Sequence, residues 1–281
     1  MNFFSPLILF ITILGVSAAS GLQYNHNNLF VIGDSSPYLY EYNIKEKKLE
    51  KFLLDSSQSL VVIDKKHKPD FEAICDLDSM LMIIGSGSGP KRMNGYLIKK
   101  ETREVHKVPL HSLYHNMMDL GGLKKGNLNI EGLGYKNGKW YFLNRGNGNQ
   151  HKNLVFSIEG DACFNLKNTT LAFKEVNLPS IEGCPAGFSD GVIIEDKLFF
   201  LATREDKSST YEDGENKGTF ISYISLSNGQ LGPVKQLSQD KKLEGLSVFK
   251  QKKKSIVFFI CEDPDNEAIK ESPIYTYRFR L

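Results

Sequence analysis

A repeat runs through the chain and restricts its fold more than any other sequence feature. Each copy begins with a triplet of an acidic or polar residue, a small residue and an aliphatic residue. The first residues of the triplets, here called anchors, follow one another at intervals of 52, 59, 59 and 54 residues. The five anchors are Ser20, Glu72, Glu131, Asp190 and Glu244. A regular period of this size indicates a solenoid, a propeller or an array.

The sequence after each anchor predicts a four-stranded unit. A continuous apolar run follows the anchor and indicates a second strand that is buried on both faces. The runs are Leu29–Ile32, Leu81–Ile84, Trp140–Leu143, Phe199–Ala202 and, after an insertion that contains the Lys-rich turn Gln251–Lys254, Val257–Ile260. A half-exposed third strand and a more polar fourth strand come next, except that the fifth copy lacks the fourth strand. This falling burial predicts an all-β protein, a single five-bladed β-propeller of four-stranded antiparallel blades, with six blades as the less favoured alternative.

Residues 1–18 allow two interpretations, and the propeller domain is assigned to residues 19–281. Leu7–Leu14 is mostly apolar and precedes the small residues Ser17 and Ala18, as in a signal peptide. Its lack of charge favours this interpretation, which predicts a secreted or periplasmic protein, although no Lys or Arg precedes the apolar run. Alternatively, Leu9–Leu14 supplies the missing outer strand of the fifth blade, and the protein is cytoplasmic.

Composition excludes some classes of function. The 35 basic and 33 acidic residues nearly balance, which argues against a dedicated nucleic-acid binder. No internal apolar stretch is long enough for a transmembrane helix, and a monomer is expected. Cys75 and Cys261 fall in predicted inner strands and are expected to be buried free thiols, whereas Cys163 and Cys184 are the expected disulfide pair if the protein is exported.

The candidate site follows from the propeller geometry. First strands converge on the axis, so the carboxylates of Glu72, Glu131, Asp190 and Glu244 should repel one another unless protons, basic groups or a cation neutralise them. The second strands end near the same axis, beside glycine-rich loops that can form anion-binding nests. The residues expected there to bind a ligand are Asp34, Ser86, Arg92, Arg145, Arg204 and Glu262. An internal salt-bridge network, a ligand site and a Ca²⁺ site on the four carboxylates all remain open.

Two further motifs are weaker. His67, with Asp70, could assist general base chemistry, but a loop role is the simpler interpretation. Asn168–Thr169–Thr170 is an N-glycosylation sequon that has meaning only in a eukaryotic secretory path.

Several segments together resemble a family of uncharacterised bacterial β-propeller proteins. The segments are Ala19–Leu22, Ile32–Tyr40, Pro69–Ile74, Gly85–Ser88 and Asn129–Gly132. The resemblance covers nearly the whole chain after residue 18 and implies the propeller fold without an activity. The anchors are also distantly similar to those of phytase-like and esterase-like propellers, which include calcium-dependent phosphohydrolases.

Two functions follow as predictions. The first is an exported propeller that binds a small polar or anionic ligand, or a protein partner, at its axial face. The second is a metal-assisted, calcium-dependent hydrolase of phosphoesters or esters. There the anchor carboxylates hold the metal or act as base, and Arg145 and Arg204 stabilise negative charge.

Overall fold

The computed structural model describes residues 6–55, 68–146, 150–167, 171–181, 184–205, 216–264 and 270–281. Its strands form five four-stranded antiparallel sheets, each a consecutive meander along the chain except for one outer strand. The sheets are the blades of a five-bladed propeller, so the predicted fold is confirmed. His67 and the sequon at Asn168 lie outside the described residues.

The blades follow the order of the repeats. Blade one contains β2 (Ala19–Asn25), β3 (Asn28–Gly33), β4 (Tyr38–Asn43) and β5 (Lys48–Leu53). Blade two contains β6 (Phe71–Leu77), β7 (Met80–Gly85), β8 (Asn94–Lys99) and β9 (Val105–Pro109). Blade three contains β10 (Ile130–Lys136), β11 (Lys139–Asn144), β12 (Leu154–Glu159) and β13 (Ala172–Glu175). Blade four contains β16 (Gly187–Ile194), β17 (Lys197–Glu205), β18 (Asn216–Ser225) and β19 (Lys235–Ser238), and a small hairpin of β14 (Ser180–Ile181) and β15 (Cys184–Pro185) precedes it.

Blade five joins the two ends of the chain. Its inner strands are β20 (Leu243–Lys252), β21 (Ser255–Glu262) and β22 (Glu271–Arg280), and its outer strand is β1 (Ile8–Leu14). β1 pairs antiparallel with β22. Ile13 and Val16 are fully buried in a core cluster that blades five and one share. In this structure the N-terminal segment is therefore the closing strand, while the signal peptide and export stay predictions.

The innermost strands pack against one another around the axis, and β20 meets β2 to close the ring. This explains the small residue of each triplet. A Cβ on Gly132 would lie 3.0 Å from the backbone nitrogen of Gly191 in the next blade, and one on Gly245 would collide with the backbone of Leu22. We use "upper face" for the face at which the innermost strands begin, and "lower face" for the face of their first turns.

The strand pairing corrects the predicted register of two blades. The innermost strand of every blade has a β-bulge at its start, at Ser20, Glu72, Glu131, Ser189 and, over two residues, at Glu244. In blade four the bulged residue is therefore Ser189, one position before the predicted anchor Asp190. The residues equivalent to Asp34, Ser86 and Arg145 are therefore Thr203, one position before the predicted Arg204, and Asp263, one position after the predicted Glu262.

The fold also contains helices that the repeat analysis did not predict. A helix, α1 (His111–Gly121), follows blade two and buries Leu113, Tyr114 and Met117 against the core between blades two and three. A short 3₁₀ helix spans Pro90–Arg92. No helix among the described residues has the length and apolarity needed to span a bilayer.

The thiols follow the burial of their strands. Cys75 and Cys261 are free and buried, as predicted, and burial raises the pKa of Cys75 to about 12. Cys163 is a free, exposed thiol, whereas the disulfide with Cys184 is expected only if the protein is exported. Cys163 lies in a turn that Asp161 stabilises through the backbone amide of Cys163, at 2.9 Å, which holds this segment without a covalent link.

Candidate functional site

Five residues of the β-bulges form a ring around the axis near the upper face, here called the inner ring. Its members are Ser20, Glu72, Glu131, Ser189 and Glu244. The three glutamates influence one another electrostatically, and Glu131 and Glu244 both raise the pKa of Glu72. The two serines instead donate hydrogen bonds to the backbone of the next blade, Ser20 to Phe71 O and Ser189 to Leu243 O. The predicted convergence of anchors thus produces three carboxylates rather than four.

A buried lysine lies between two carboxylates at blades one and two. The Lys68 ammonium contacts the Asp34 carboxylate and lies 3.2 Å from an Asp70 oxygen. Burial raises the pKa of Asp34, but the Lys68 charge, the hydrogen bonds from Lys68 and Ser35 and the Lys242 charge together outweigh burial and hold that pKa below its ordinary value. For Lys68, burial favours the neutral amine, yet the charges of Asp34 and Asp70 raise its pKa. Lys68 is therefore a permanent cation in the site.

Asp70 is also the acceptor of a second group of donors. Its Oδ2 accepts hydrogen bonds from the Ser86 hydroxyl and from Arg92 Nη1, the latter at 2.8 Å. Asp70 has φ +54°, in the left-handed region, which aspartate tolerates better than most residues. Arg92 and Ser86 were both predicted as ligand contacts, and the structure uses them to hold Asp70.

Blade five contains a similar buried cation. Lys242 Nζ lies 2.8 Å from Asp263 and 3.2 Å from Glu244. Burial raises the pKa of Glu244 well above its ordinary value, and Lys242 only partly opposes this effect. Lys242 also lowers the pKa of Asp34, so the charged groups of blades five and one belong to one cluster.

Glu131, in blade three, is held by its own blade. Its Oε1 accepts a hydrogen bond from the Asn129 side-chain amide at 2.5 Å and lies 3.4 Å from Arg145 Nη1. Glu131 and Arg145 are 4% and 6% exposed. Arg145 thus pairs with an anchor carboxylate, as in the internal salt-bridge network that the sequence left open.

Glu72 differs from the other two glutamates. It is only partly buried, and no described residue donates a hydrogen bond to its carboxylate. Desolvation, followed by the charges of Glu131 and Asp70, raises its pKa well above the ordinary value. Glu72 is thus an acceptor at the axis whose charge the protein does not fully compensate.

Asp190 has a structural environment instead. It is fully buried, and its two oxygens accept hydrogen bonds from the backbone amides of Gly191, at 2.7 Å, and of Leu246, at 2.6 Å. Burial raises its pKa, and the two amides oppose that shift. Asp190 therefore links blades four and five through both of its oxygens.

The blade-four side of the axis is built from hydroxyl groups. The hydroxyl oxygens of Ser189 and Thr203 are 3.0 Å apart. The Thr203 hydroxyl also lies 3.2 Å from the Thr219 hydroxyl and 3.2 Å from the carbonyl oxygen of Leu243. Arg204, predicted as a ligand contact, is buried one residue beyond this network. Glu262, also predicted, pairs with Lys241 at 3.1 Å and accepts a hydrogen bond from Tyr275.

The carboxylates that come within metal-ligand spacing differ from the predicted set. Among the described residues, oxygens of Asp34, Asp70 and Glu72 lie within 4.8 Å of one another. Oxygen donors of this kind suit Ca²⁺ or Mg²⁺. The Lys68 ammonium already lies on two of the three carboxylates, so a metal ion there would compete with an internal cation.

Sequence reasoning missed several charged or polar groups of the site. Lys68 and Lys242 precede their anchors by four and two residues, and Asn129 precedes Glu131 by two. Their position could have indicated them, because the residues just before each innermost strand enter the propeller at the same face as the inner ring. Asp263 was missed because the predicted register of blade five was shifted by one residue.

The profile of a family of unknown function, DUF6929, matches residues 15–279. The chain belongs to this family. No curated protein matches the chain.

Solved structures share the fold at low sequence identity. The major allergen Mala s 1 of Malassezia sympodialis has a TM-score of 0.56 at 11% identity, with 96% of each chain covered. The glutaminyl cyclase of Myxococcus xanthus has a TM-score of 0.55 at 11% identity, covering 98% of this chain and 99% of that one. A luciferin-regenerating enzyme has a TM-score of 0.51 at 11% identity, covering 99% and 96%. These similarities support the fold and carry no function, because one fold hosts many activities.

Proposed function

We propose that the protein binds a small polar ligand at the upper face of the propeller, and that Glu72 receives a cationic or hydrogen-bond-donating group of this ligand. The observation that supports the proposal is the state of Glu72: partly accessible, near the axis and without a hydrogen-bond donor among the described residues. An acceptor in such a place is costly to leave unpaired, so a ligand that supplies a donor gains the full interaction.

The balance of ionisable groups around Glu72 supports a positively charged ligand. The cluster contains the carboxylates of Asp34, Asp70, Glu72, Glu131, Glu244 and Asp263 against the cations Lys68, Arg92, Arg145 and Lys242. Each of the four cations is within ion-pair distance of a carboxylate of the cluster. This excess of carboxylates favours a ligand with positive charge over the anionic ligand that the arginines suggested in the sequence.

The test is binding of small cations and amines by isothermal titration calorimetry, with thermal shift as a first screen. Glu72→Gln keeps the shape of the side chain and removes its charge, so we expect it to weaken binding of a positively charged ligand at least about tenfold. Glu104→Gln, on the exposed edge of blade two, is the matched control and should bind as the unmodified protein does. Equal affinities of Glu72→Gln and the unmodified protein would refute the role of Glu72.

Metal-assisted hydrolysis of phosphoesters or esters is the second candidate, and the spacing of Asp34, Asp70 and Glu72 supports it. A bound Ca²⁺ would polarise a phosphoryl or carbonyl oxygen, while these three side chains would hold the ion. The measurement is a screen of phosphoester and ester substrates with and without Ca²⁺, together with the thermal shift that Ca²⁺ causes. If Ca²⁺ neither stabilises the protein nor permits turnover, this candidate fails and the binding function is unaffected.

A further inference from the structure

A basic hairpin projects from the lower face of blade five. In blades one to four, the innermost strand ends five residues after its inner-ring residue, at Asn25, Leu77, Lys136 and Ile194. In blade five, β20 ends at Lys252, eight residues after Glu244. One of these three extra positions is taken up in a second bulge relative to β21, but from the inner ring to the turn the paired strands are still two residue pairs longer than in the other blades, which extends this hairpin by about 7 Å beyond the corresponding turns.

The projecting hairpin has a single sign of charge. Lys250, Lys252, Lys253 and Lys254 are all exposed, and no described residue forms an ion pair with any of them. The acidic residue that reaches this hairpin is Glu195 of blade four, which accepts a hydrogen bond from the Gln251 side chain at 3.1 Å. The lysines therefore present uncompensated positive charge to solvent.

Exposed apolar side chains lie beside these lysines. Phe249 is 37% exposed and directly precedes Lys250, and Phe10 of β1 is 41% exposed with its ring centroid 6.2 Å from that of Phe249. Ile8 and Leu9 precede Phe10 in the same outer strand and are 56% and 55% exposed. The C-terminal Leu281 is 57% exposed, and its backbone amide donates to Lys254 O at 3.1 Å. The outer strands of the other four blades each contain charged or polar side chains, so this apolar edge is peculiar to blade five.

We propose that the lower edge of blade five is a docking surface for an anionic lipid membrane. Lysines attract an anionic headgroup layer, and aromatic and aliphatic side chains next to them can enter the boundary between headgroups and acyl chains. Each component alone would be weak, but both lie on one edge of the molecule. A nucleic acid would use the same lysines without needing the aliphatic edge of Ile8 and Leu9, so the combination favours a lipid surface. The site is distinct from the inner ring, which opens at the upper face.

The experiment is cosedimentation of the full chain with vesicles of phosphatidylcholine alone and with vesicles in which part of it is replaced by phosphatidylglycerol. We expect binding only to the anionic vesicles, and weaker binding as salt is added. The double variant Lys253→Glu/Lys254→Glu should lose at least about tenfold in affinity for these vesicles. The control Lys124→Glu/Lys125→Glu makes the same change of charge on exposed residues that lead into β10 at the upper face, and it should bind within about twofold of the unmodified protein.

A second variant separates charge from insertion. Phe249→Ser keeps all lysines and should weaken vesicle binding severalfold, whereas a purely electrostatic contact would be unchanged. Circular dichroism melting curves show that each variant is folded. Absence of sedimentation with anionic vesicles, equal loss in the two double variants, or binding of a single-stranded RNA oligonucleotide without vesicle binding would each overturn the proposal.

Discussion

The two sides of the inner ring satisfy their buried polar groups differently, one with ion pairs and the other with hydroxyl groups. On the side of blades one and two, Lys68 joins the carboxylates of Asp34 and Asp70. On the side of blade four, Ser189, Thr203 and Thr219 share hydrogen bonds with one another and with Leu243 O. Hydroxyl groups can satisfy each other, whereas buried charges depend on a partner of opposite sign. The charged side therefore has both the larger cost of disruption and the capacity to bind a ligand.

Glu72 and Asp190 make the same contrast between single residues. Burial raises the pKa of both carboxyl groups. Asp190 receives two backbone amides, while Glu72 receives no donor from the described residues. A raised pKa alone thus does not distinguish a structural carboxylate from a ligand-binding one, and the hydrogen-bond partners do.

Removing the Lys68 ammonium should lower the stability of the fold more than any other change proposed here. Lys68→Met leaves the buried Asp70 carboxylate and the partly buried Asp34 carboxylate without this partner, which should destabilise the fold by about 3–5 kcal/mol. Urea unfolding followed by circular dichroism measures the change. Lys107→Met removes a half-exposed lysine from its pair with Asp55 and should leave the unfolding midpoint almost unchanged. An unaltered midpoint for Lys68→Met would show that solvent already neutralises the cluster.

Asp190→Ala should have the next largest effect, because two buried amides of the interface between blades four and five lose their acceptor. We expect a loss of about 3 kcal/mol in the free energy of unfolding. The exposed Asp119→Ala on α1 is the control. A ligand that binds at Glu72 should keep its affinity for the folded Asp190→Ala protein, and a loss of binding would contradict the separation of the two roles.

The hydroxyl side should tolerate substitution better than the charged side. Thr203→Val keeps the shape of the side chain and removes the hydroxyl that links Ser189, Thr219 and Leu243, at a cost of about 1–2 kcal/mol. Thr203→Ser restores the hydroxyl and should recover most of this loss in the same unfolding experiment. If Thr203→Val destabilises the protein as strongly as Lys68→Met, the proposed difference between the two sides is wrong.

The pH dependence of stability gives the smallest and most specific effect. The folded-state pKa of Glu72 is raised, so the unfolded chain ionises at a lower pH than the folded protein does. Stability is then greatest when both states are protonated and falls as the pH rises through the folded-state pKa. Lowering the pH from about 7.5 towards about 5 should stabilise the protein, and Glu72→Gln should remove about 1 kcal/mol of this gain.

Three other carboxyl groups test the assignment of this slope. Glu244 and Asp190 have raised pKa values as well, so part of the slope should persist in Glu72→Gln. Asp34 has a lowered pKa, so its contribution is lost only when the pH falls below the ordinary aspartate range, outside this window. An unchanged slope in Glu72→Gln would show that Glu72 does not titrate in this way.

Local patterns were sufficient to predict the strands but not their alignment across blades. The triplet Asp190–Gly191–Val192 has the right residue types, yet the bulge lies at Ser189. The turn at Glu195 fixes how β16 pairs with β17, and this pairing leaves Ser189 without a residue opposite it. The repeat could not predict helix α1, because the helix lies between two copies of the repeat. Its apolar residues Leu113, Tyr114 and Met117 have no counterparts in the other copies.

The sequence by itself determined the number of blades, the order of strands and the presence of carboxylates near the axis, because these depend on a period and on local hydrophobic patterns. Only the tertiary structure decided which carboxylates meet. Lys68 and Asp34 are 34 residues apart in the chain, and Asp190 and Leu246 are 56 apart. A shift of one residue turns a side chain to the other face of a strand, so the partners of each charged group depend on how neighbouring blades pack. That packing separates Asp190, which holds two blades together, from Glu72, which remains able to bind a ligand.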